Sequence, residues 1–223
     1  LMLPSAMSIT YLSSLVETNT VMDDVTRIKQ MLCADAQLQP DCLCLRVQDY
    51  RLALRSNSAA LLERLGSYFA HVLEPSCEGA HAEVIAVERD IVDSGFEFVD
   101  WKREPGKTGR KDAIYDFTAG RLVQKVRTGM LFLQSRQALV AAGPCLEYDN
   151  QVINFINSQF LNWLQHDGYV LCHAAALTRH GHGLAIAGLS GGGKSTLMLN
   201  LLEDETTSYV TNDRLLVRKQ GEA

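Results

Sequence analysis

Leu184-Ala185-Ile186-Ala187-Gly188-Leu189-Ser190-Gly191-Gly192-Gly193-Lys194-Ser195-Thr196-Leu197-Met198-Leu199 is the stretch on which the reading of this 223-residue chain turns. Its middle, Gly188–Ser195, satisfies the pattern G-x-x-x-x-G-K-[ST] in full. Leu184–Ala187 reads as a short buried strand, and Thr196–Leu202 as a good helix former. Strand, glycine loop and helix is the order that phosphate binding requires. Glycines let successive main-chain N–H groups turn inward, and the helix N-terminus adds partial positive charge at the same spot. In that arrangement Gly188, Ser190, Gly191, Gly192, Gly193 and Thr196 belong to the cradle. Lys194 reaches the β- and γ-phosphates as a point charge, and the Ser195 hydroxyl ligates Mg²⁺. A glycine-rich turn with a chance lysine is the bland competitor, and the matching flanks count against it.

A phosphate-bound metal calls for an acidic partner. Tyr209-Val210-Thr211-Asn212-Asp213 reads as the end of a strand, with Asp213 19 residues beyond Lys194. Ligands gather at the carboxyl ends of strands in open α/β sheets, which makes Asp213 the candidate metal-organising carboxylate. An ordinary Asn-Asp turn between two strands competes with this, because Leu215-Leu216-Val217 follows at once.

Outward from the loop, residues 169–177 and 184–188 read as strands. Asp149-Asn150 caps a helix whose apolar face carries Val152, Ile153, Phe155, Ile156, Phe160, Trp163 and Leu164, closed by Gly168. These aromatics fit a core face better than a cofactor box. Ala113–Phe117, Leu122–Val126, Met130–Leu133 and Leu139–Ala142 alternate as strands, the first two joined by Thr118-Ala119-Gly120. Residues 102–111 (KREPGKTGRK) carry five basic residues and read as a solvated basic connection or a docking loop. Before them, Leu43, Leu45, Val47 and then Leu52, Leu54 alternate at period two. A helix capped by Asn57 or Ser58 follows, with a stripe from Leu61 to Leu73 ended by Pro75, then a strand at Val84–Val87. The expected organisation is a small α+β domain of unknown role over 1–100, a scaffold or docking unit. A nucleotide-binding P-loop core follows over 101–223.

Composition places the chain among folded proteins: 47% apolar, 21% charged and mean hydropathy −0.03. No apolar run approaches the roughly 20 residues of a bilayer-spanning helix. Leu1–Thr10 lacks the basic n-region of a secretory signal. Residues 1–100 hold 7 Lys/Arg against 15 Asp/Glu, and residues 101–223 hold 14 against 11, so an acidic half precedes a mildly basic one. The overall charge of −5 argues against bulk nucleic-acid binding, while the basic half suits a phosphorylated ligand. The six cysteines form no C-x-x-C pair and read as reduced thiols of a cytoplasmic protein, mostly small core residues. Cys42-x-Cys44 offers a soft-metal pair without a second pair to complete it, so burial on one strand face is the simpler reading.

The run from His173 through Thr178-Arg179-His180-Gly181-His182 into Gly188–Ser195 resembles the catalytic core of the HPr kinase/phosphorylase family. With Ser195-Thr196, Thr211-Asn212-Asp213-Arg214 and Gly143–Asn157, it is more similar to the HPr-kinase-related kinases, type B. The resemblance covers about residues 100–218. It implies an α/β kinase core related to phosphoenolpyruvate carboxykinase folds. It implies ATP and Mg²⁺, and transfer of the γ-phosphoryl group to a protein Ser/Thr hydroxyl or a small acceptor. Carried over by position, Lys194 and Ser195 serve nucleotide and metal. His173, which alone reads as a core histidine beside a strand, becomes an active-site histidine. Asp213 becomes the second member of an Asp-Asp pair. Asn212 stands where the first aspartate, the family's proton acceptor, belongs, and an amide is no general base. Thr196 stands where the bifunctional enzymes carry glutamate, so phosphorylase activity is not expected. Complete relatives extend past Asp213 with further strands and a basic loop, implying a C-terminally truncated or degenerate member, and relatives that form hexamers make a homo-oligomer an open expectation. Two other readings stand beside the kinase: a nucleotide-binding regulatory module without transfer, and a P-loop ATPase or small-molecule kinase of ordinary topology. Antiparallel neighbours around the phosphate-loop strand count against that last pair.

Overall fold

The computed structural model describes residues 24–101, 111–189 and 191–219. Ser190 and residues 102–110 of the basic segment lie outside the described residues, as does Leu1–Thr10. The chain is mixed α/β, with one large mixed sheet and, among the described residues, four helices. It divides into two compact units, residues 1–157 and 158–223.

The first described element of this unit is helix α1 over 24–32, whose Val25, Ile28 and Leu32 recur at helical spacing and are buried. Strands β1 (Leu43–Val47) and β2 (Tyr50–Ser56) form the hairpin that the alternating leucines announce, with Leu43 opposite Leu54 and Leu45 opposite Leu52. The Ser58 hydroxyl accepts the Leu61 N–H at 3.2 Å and starts α2 (Ala59–Tyr68), which buries Leu61, Leu62 and Leu65. The helix ends earlier than its apolar stripe: Ala70–Val72 tightens into a 3₁₀ turn, and Leu73–Glu74 pairs with β1 as the short edge strand β3.

Strand β4 (Ala82–Glu88) returns parallel to β2, and its other edge pairs in parallel with β9 (Leu139–Gly143). Between them in sequence lie β5 (Val99–Asp100), β6 (Asp112–Phe117), β7 (Gly120–Lys125) and β8 (Leu131–Ser135), an antiparallel meander. The resulting nine-stranded sheet has the order β3-β1-β2-β4-β9-β8-β7-β6-β5. Leu131 and Leu133 lie in the core with α1, while Phe132, on the opposite pleat, meets the Phe155 ring of α3 (Asp149–His166) at 5.1 Å. Helices therefore lie on both faces of this sheet.

The expected boundary between residues 100 and 101 falls inside this unit. Strands from either side of it share one sheet through the β4–β9 ladder, and the units divide within α3. The cysteine expectation also needs correcting. Cys44 and Cys145 are buried, but Cys42 is exposed and Cys33, Cys77 and Cys172 are half-buried.

The second unit is built on β10 (Val170–Arg179), β11 (His182–Ala187), α4 (Lys194–Leu201), β12 (Thr207–Thr211) and β13 (Arg214–Val217). Its small core gathers Ala175, Leu177 and Met198, with Ile186, Leu201 and Leu202 packed against them. β11, expected to be buried, is an edge strand bonded, among the described residues, to β10 alone, and Leu184 is 49% exposed.

Candidate functional site

β10 is the central strand of the second unit. β11 runs antiparallel along one edge of it, and β12 and β13 run antiparallel along the other. β11 and β12 are therefore parallel to each other with β10 between them, and their carboxyl ends leave the sheet on the same side. Ala174 pairs with Ala187, and Ala176 with Thr211, so His173 stands just beyond both strand ends. Three chain segments that are far apart in sequence thus converge: the loop after β11, the Asn212-Asp213 segment, and His173 on β10.

Asn212-Asp213 is not a reversing turn. β12 pairs with residues 176–179 of β10, and β13 continues in the same direction against residues 170–173. The two strands are one line of chain broken for two residues. The Asp213 carbonyl accepts the Ala174 N–H at 3.1 Å, which pins the break to the central strand.

The glycine loop makes a tight entry to α4. The Gly192 N–H bonds the Leu189 carbonyl at 3.0 Å, and a Cβ at Gly192 would sit 3.0 Å from that same oxygen. Gly191 and Gly193 hold φ of 79° and 80°, which side chains disfavour, and Gly193 is the N-cap of α4. Among the described residues, no side chain caps this helix. Leu197 is the first residue to bond back within it, to Gly193, so the N–H groups of the preceding turn have no partner in the helix and remain available to an anion. Thr196 is exposed in that turn.

Lys194 folds back over the loop, its Nζ donating to the Gly188 carbonyl at 3.0 Å and the Leu189 carbonyl at 3.3 Å. Its charge faces two neutral oxygens, with no carboxylate on it among the described ion pairs. Ser195 Oγ donates to Asn212 Oδ1 at 3.0 Å. His173 Nε2 lies 3.0 Å from Asp213 Oδ1, and Arg214 Nε lies 3.8 Å from the other carboxylate oxygen. The His173 and Asp213 side chains are 64% and 67% exposed. Exposure rules out a core histidine. Exposed ion pairs contribute little to stability, so this pairing adds little to the fold.

Adjacent residues of the break therefore face different partners: Asn212 takes Ser195, and Asp213 takes His173. From the sequence alone Asp213 is the residue expected beside Ser195; the structure places Asn212 there. The opposed directions of neighbouring side chains in extended chain were the available signal.

The donor set suits phosphate and a shared hard cation. Positive-φ glycines, an uncapped helix start and a lysine on neutral carbonyls are what phosphate oxygens need. The Ser195 hydroxyl and Asn212 amide oxygen offer two hard oxygen donors 3.0 Å apart. No cluster of three or more His, Cys, Asp or Glu among the described residues is arranged to hold a metal ion. Mg²⁺ needs no such cage, since it keeps its waters and binds through one or two protein ligands plus phosphates.

A cavity of about 470 Å³ lies at the other end of the sheet, at the β10–β11 turn, lined by residues including Leu177, Arg179, His180, Leu201 and Asp204. None of the candidate site residues lines it. There, hydrogen bonds from the Thr206 hydroxyl and amide, and then the Arg179 charge, hold the Asp204 carboxyl below its usual range. Comparison of the chain with protein-family models, curated proteins and solved structures finds no match. Among the described residues, no helix is long and apolar enough to cross a membrane.

Proposed function

We propose that the second unit is a nucleotide-binding phosphotransferase core of the HPr-kinase-related kind. It would use ATP with Mg²⁺ and deliver the γ-phosphoryl group to a hydroxyl of a protein or small acceptor. One observation carries the reading: the uncapped N-terminus of α4, with Lys194 resting on neutral carbonyls, opens where Ser195–Asn212 and His173–Asp213 converge. The antiparallel β10 beside the phosphate-loop strand favours this class over P-loop ATPases and small-molecule kinases of ordinary topology, whose corresponding strand has parallel neighbours.

The division of labour follows from the contacts. The first-turn N–H groups of α4 and Lys194 bind and orient the phosphate chain. Ser195 and Asn212 hold the side of the site where Mg²⁺ would neutralise phosphate charge. The Asp213 carboxylate, 3.0 Å from His173 Nε2, favours the tautomer that carries its proton there, which would leave Nδ1 with a lone pair for a proton. His173 is thereby the proton acceptor for an attacking hydroxyl, a task the Asn212 amide cannot perform, and Asp213 orients it. Phosphoryl transfer depends mainly on positioning and charge neutralisation, so this base contributes to the rate without being its main source.

The test is transfer from γ-labelled ATP with Mg²⁺, with cell lysate supplying acceptors. The native chain labels an acceptor, and His173→Asn lowers that labelling about 10²-fold or more while MgATP binding stays within a factor of about two. Equal labelling by His173→Asn removes the histidine from the mechanism. Asn212 favours a second reading, a nucleotide-binding module without transfer: tight MgATP binding with no labelled acceptor for the native chain selects it.

A further inference from the structure

We infer that Cys42 and Cys77 are a peroxide-oxidisable dithiol, a redox site in the first unit separate from the phosphate loop. Their sulfur atoms lie 3.1 Å apart although the residues are 35 positions apart in sequence. The sheet register brings them together. Cys44 pairs with Glu74 across the β1–β3 ladder, so Cys42, just before β1, meets the segment that leaves β3.

That segment is held in place. Arg51 Nη1 donates to the Glu78 carbonyl at 3.3 Å, the Arg51 N–H bonds His81 Nδ1 at 3.1 Å, and the Ala80 N–H bonds the Cys77 carbonyl at 3.1 Å. The thiols therefore face each other across anchored backbone. A disulfide of about 2.05 Å requires the sulfurs to approach by about 1 Å more, within the reach of side-chain rotation.

The three nearby cysteines have different access. Cys42 is exposed, Cys77 is half-buried and Cys44 is buried behind them. Burial, then hydrogen bonds with Cys42 and Cys44, push the Cys77 thiol up to about 12. Cys77 is therefore the resolving partner and Cys42 the first to react. The Cys42 thiolate attacks one oxygen of hydrogen peroxide, the O–O bond breaks, and Cys42 becomes a sulfenic acid as hydroxide leaves. The Cys77 sulfur then attacks the Cys42 sulfur. The S–O bond breaks, and the Cys77 proton leaves with the departing hydroxyl as water. Overall, two thiols and one peroxide give one disulfide and two waters.

The experiment uses the full chain, pre-reduced and then treated with one equivalent of hydrogen peroxide. Thiol titration and peptide mass mapping without reductant provide the readout. Two of the six thiols disappear, and the mapped link joins Cys42 to Cys77 within one chain. Cys42→Ser keeps its five thiols, Cys77→Ser leaves a Cys42 sulfenic acid that dimedone traps, and Cys172→Ser behaves as the native chain. Thermal unfolding of each variant before oxidation confirms that it is folded. A link from Cys44 to Cys77, a link between two chains, or undiminished thiol loss in Cys42→Ser overturns the assignment.

Discussion

Replacing Lys194 by alanine should weaken MgATP binding by about one order of magnitude and leave folding unchanged. In the free protein, Nζ donates to the Gly188 and Leu189 carbonyls at 3.0 and 3.3 Å. Bound phosphate would exchange those neutral acceptors for charged ones. A hydrogen bond to a charged group contributes about 1.5–3 kcal/mol. Because Lys194 gives up contacts it already has, the lower part of that range applies, about 1.5–2 kcal/mol. That corresponds to about 10- to 30-fold in Kd. The carbonyls left behind are in an exposed loop and turn to water, so unfolding should shift by no more than about 0.5 kcal/mol. Isothermal titration with MgATP at fixed ionic strength measures the first quantity, and thermal unfolding the second. Binding by Lys194→Ala within a factor of about two of the native chain, with unchanged unfolding, refutes the cradle. If loss of binding comes with loss of the folded signal, Lys194→Arg separates the two effects, since it keeps the charge and a donor.

Asn212→Asp puts a carboxylate against the Ser195 hydroxyl. It should weaken ATP binding without divalent ion and strengthen it with Mg²⁺, so the ratio of the two affinities rises several-fold. Titrations with Mg²⁺ and with a chelator read that ratio, and an unchanged ratio detaches Asn212 from the metal side. In the first unit, Asn57 donates to the Glu88 carbonyl at 2.9 Å and accepts the Glu88 N–H at 2.8 Å, tying the end of β4 to the start of α2. Asn57→Ala should cost about 1–3 kcal/mol in denaturant unfolding while leaving nucleotide affinity as it was. A cost below about 0.5 kcal/mol would show that water replaces both bonds.

The local elements were readable because their signals are short-range. Period-two leucines announce β1 and β2, Ser58 announces α2, and the helical stripe with Gly168 announces α3. Strand partnership was not readable. The Val84–Leu139 pairing that unites the first unit joins residues 55 apart, and nothing in either strand names the other. The same gap misplaced the boundary at residue 100. It also made Leu184–Ala187 look buried, since an apolar run does not reveal whether one or two strands flank it. At the site, the glycine loop and Lys194 were legible as a contiguous pattern. Which partner Asn212 and Asp213 each face was not, because it depends on the direction in which a two-residue break turns each side chain.

That break links fold to chemistry. Had β12 ended in an ordinary turn, the chain would have reversed and carried Asp213 away from β10. Instead β13 resumes on the same edge, and the Ala174 N–H holds the Asp213 carbonyl. The two side chains must then diverge, one toward the residue after the loop lysine and one toward the histidine on the central strand. A single carboxylate serving both metal and acceptor hydroxyl would be drawn to the stronger charge. Splitting the tasks leaves an uncharged oxygen beside Ser195 and reserves the carboxylate for His173. If transfer runs as proposed, a chain with Asn at 212 would keep its base in His173, and changing residue 212 would alter metal retention before proton transfer.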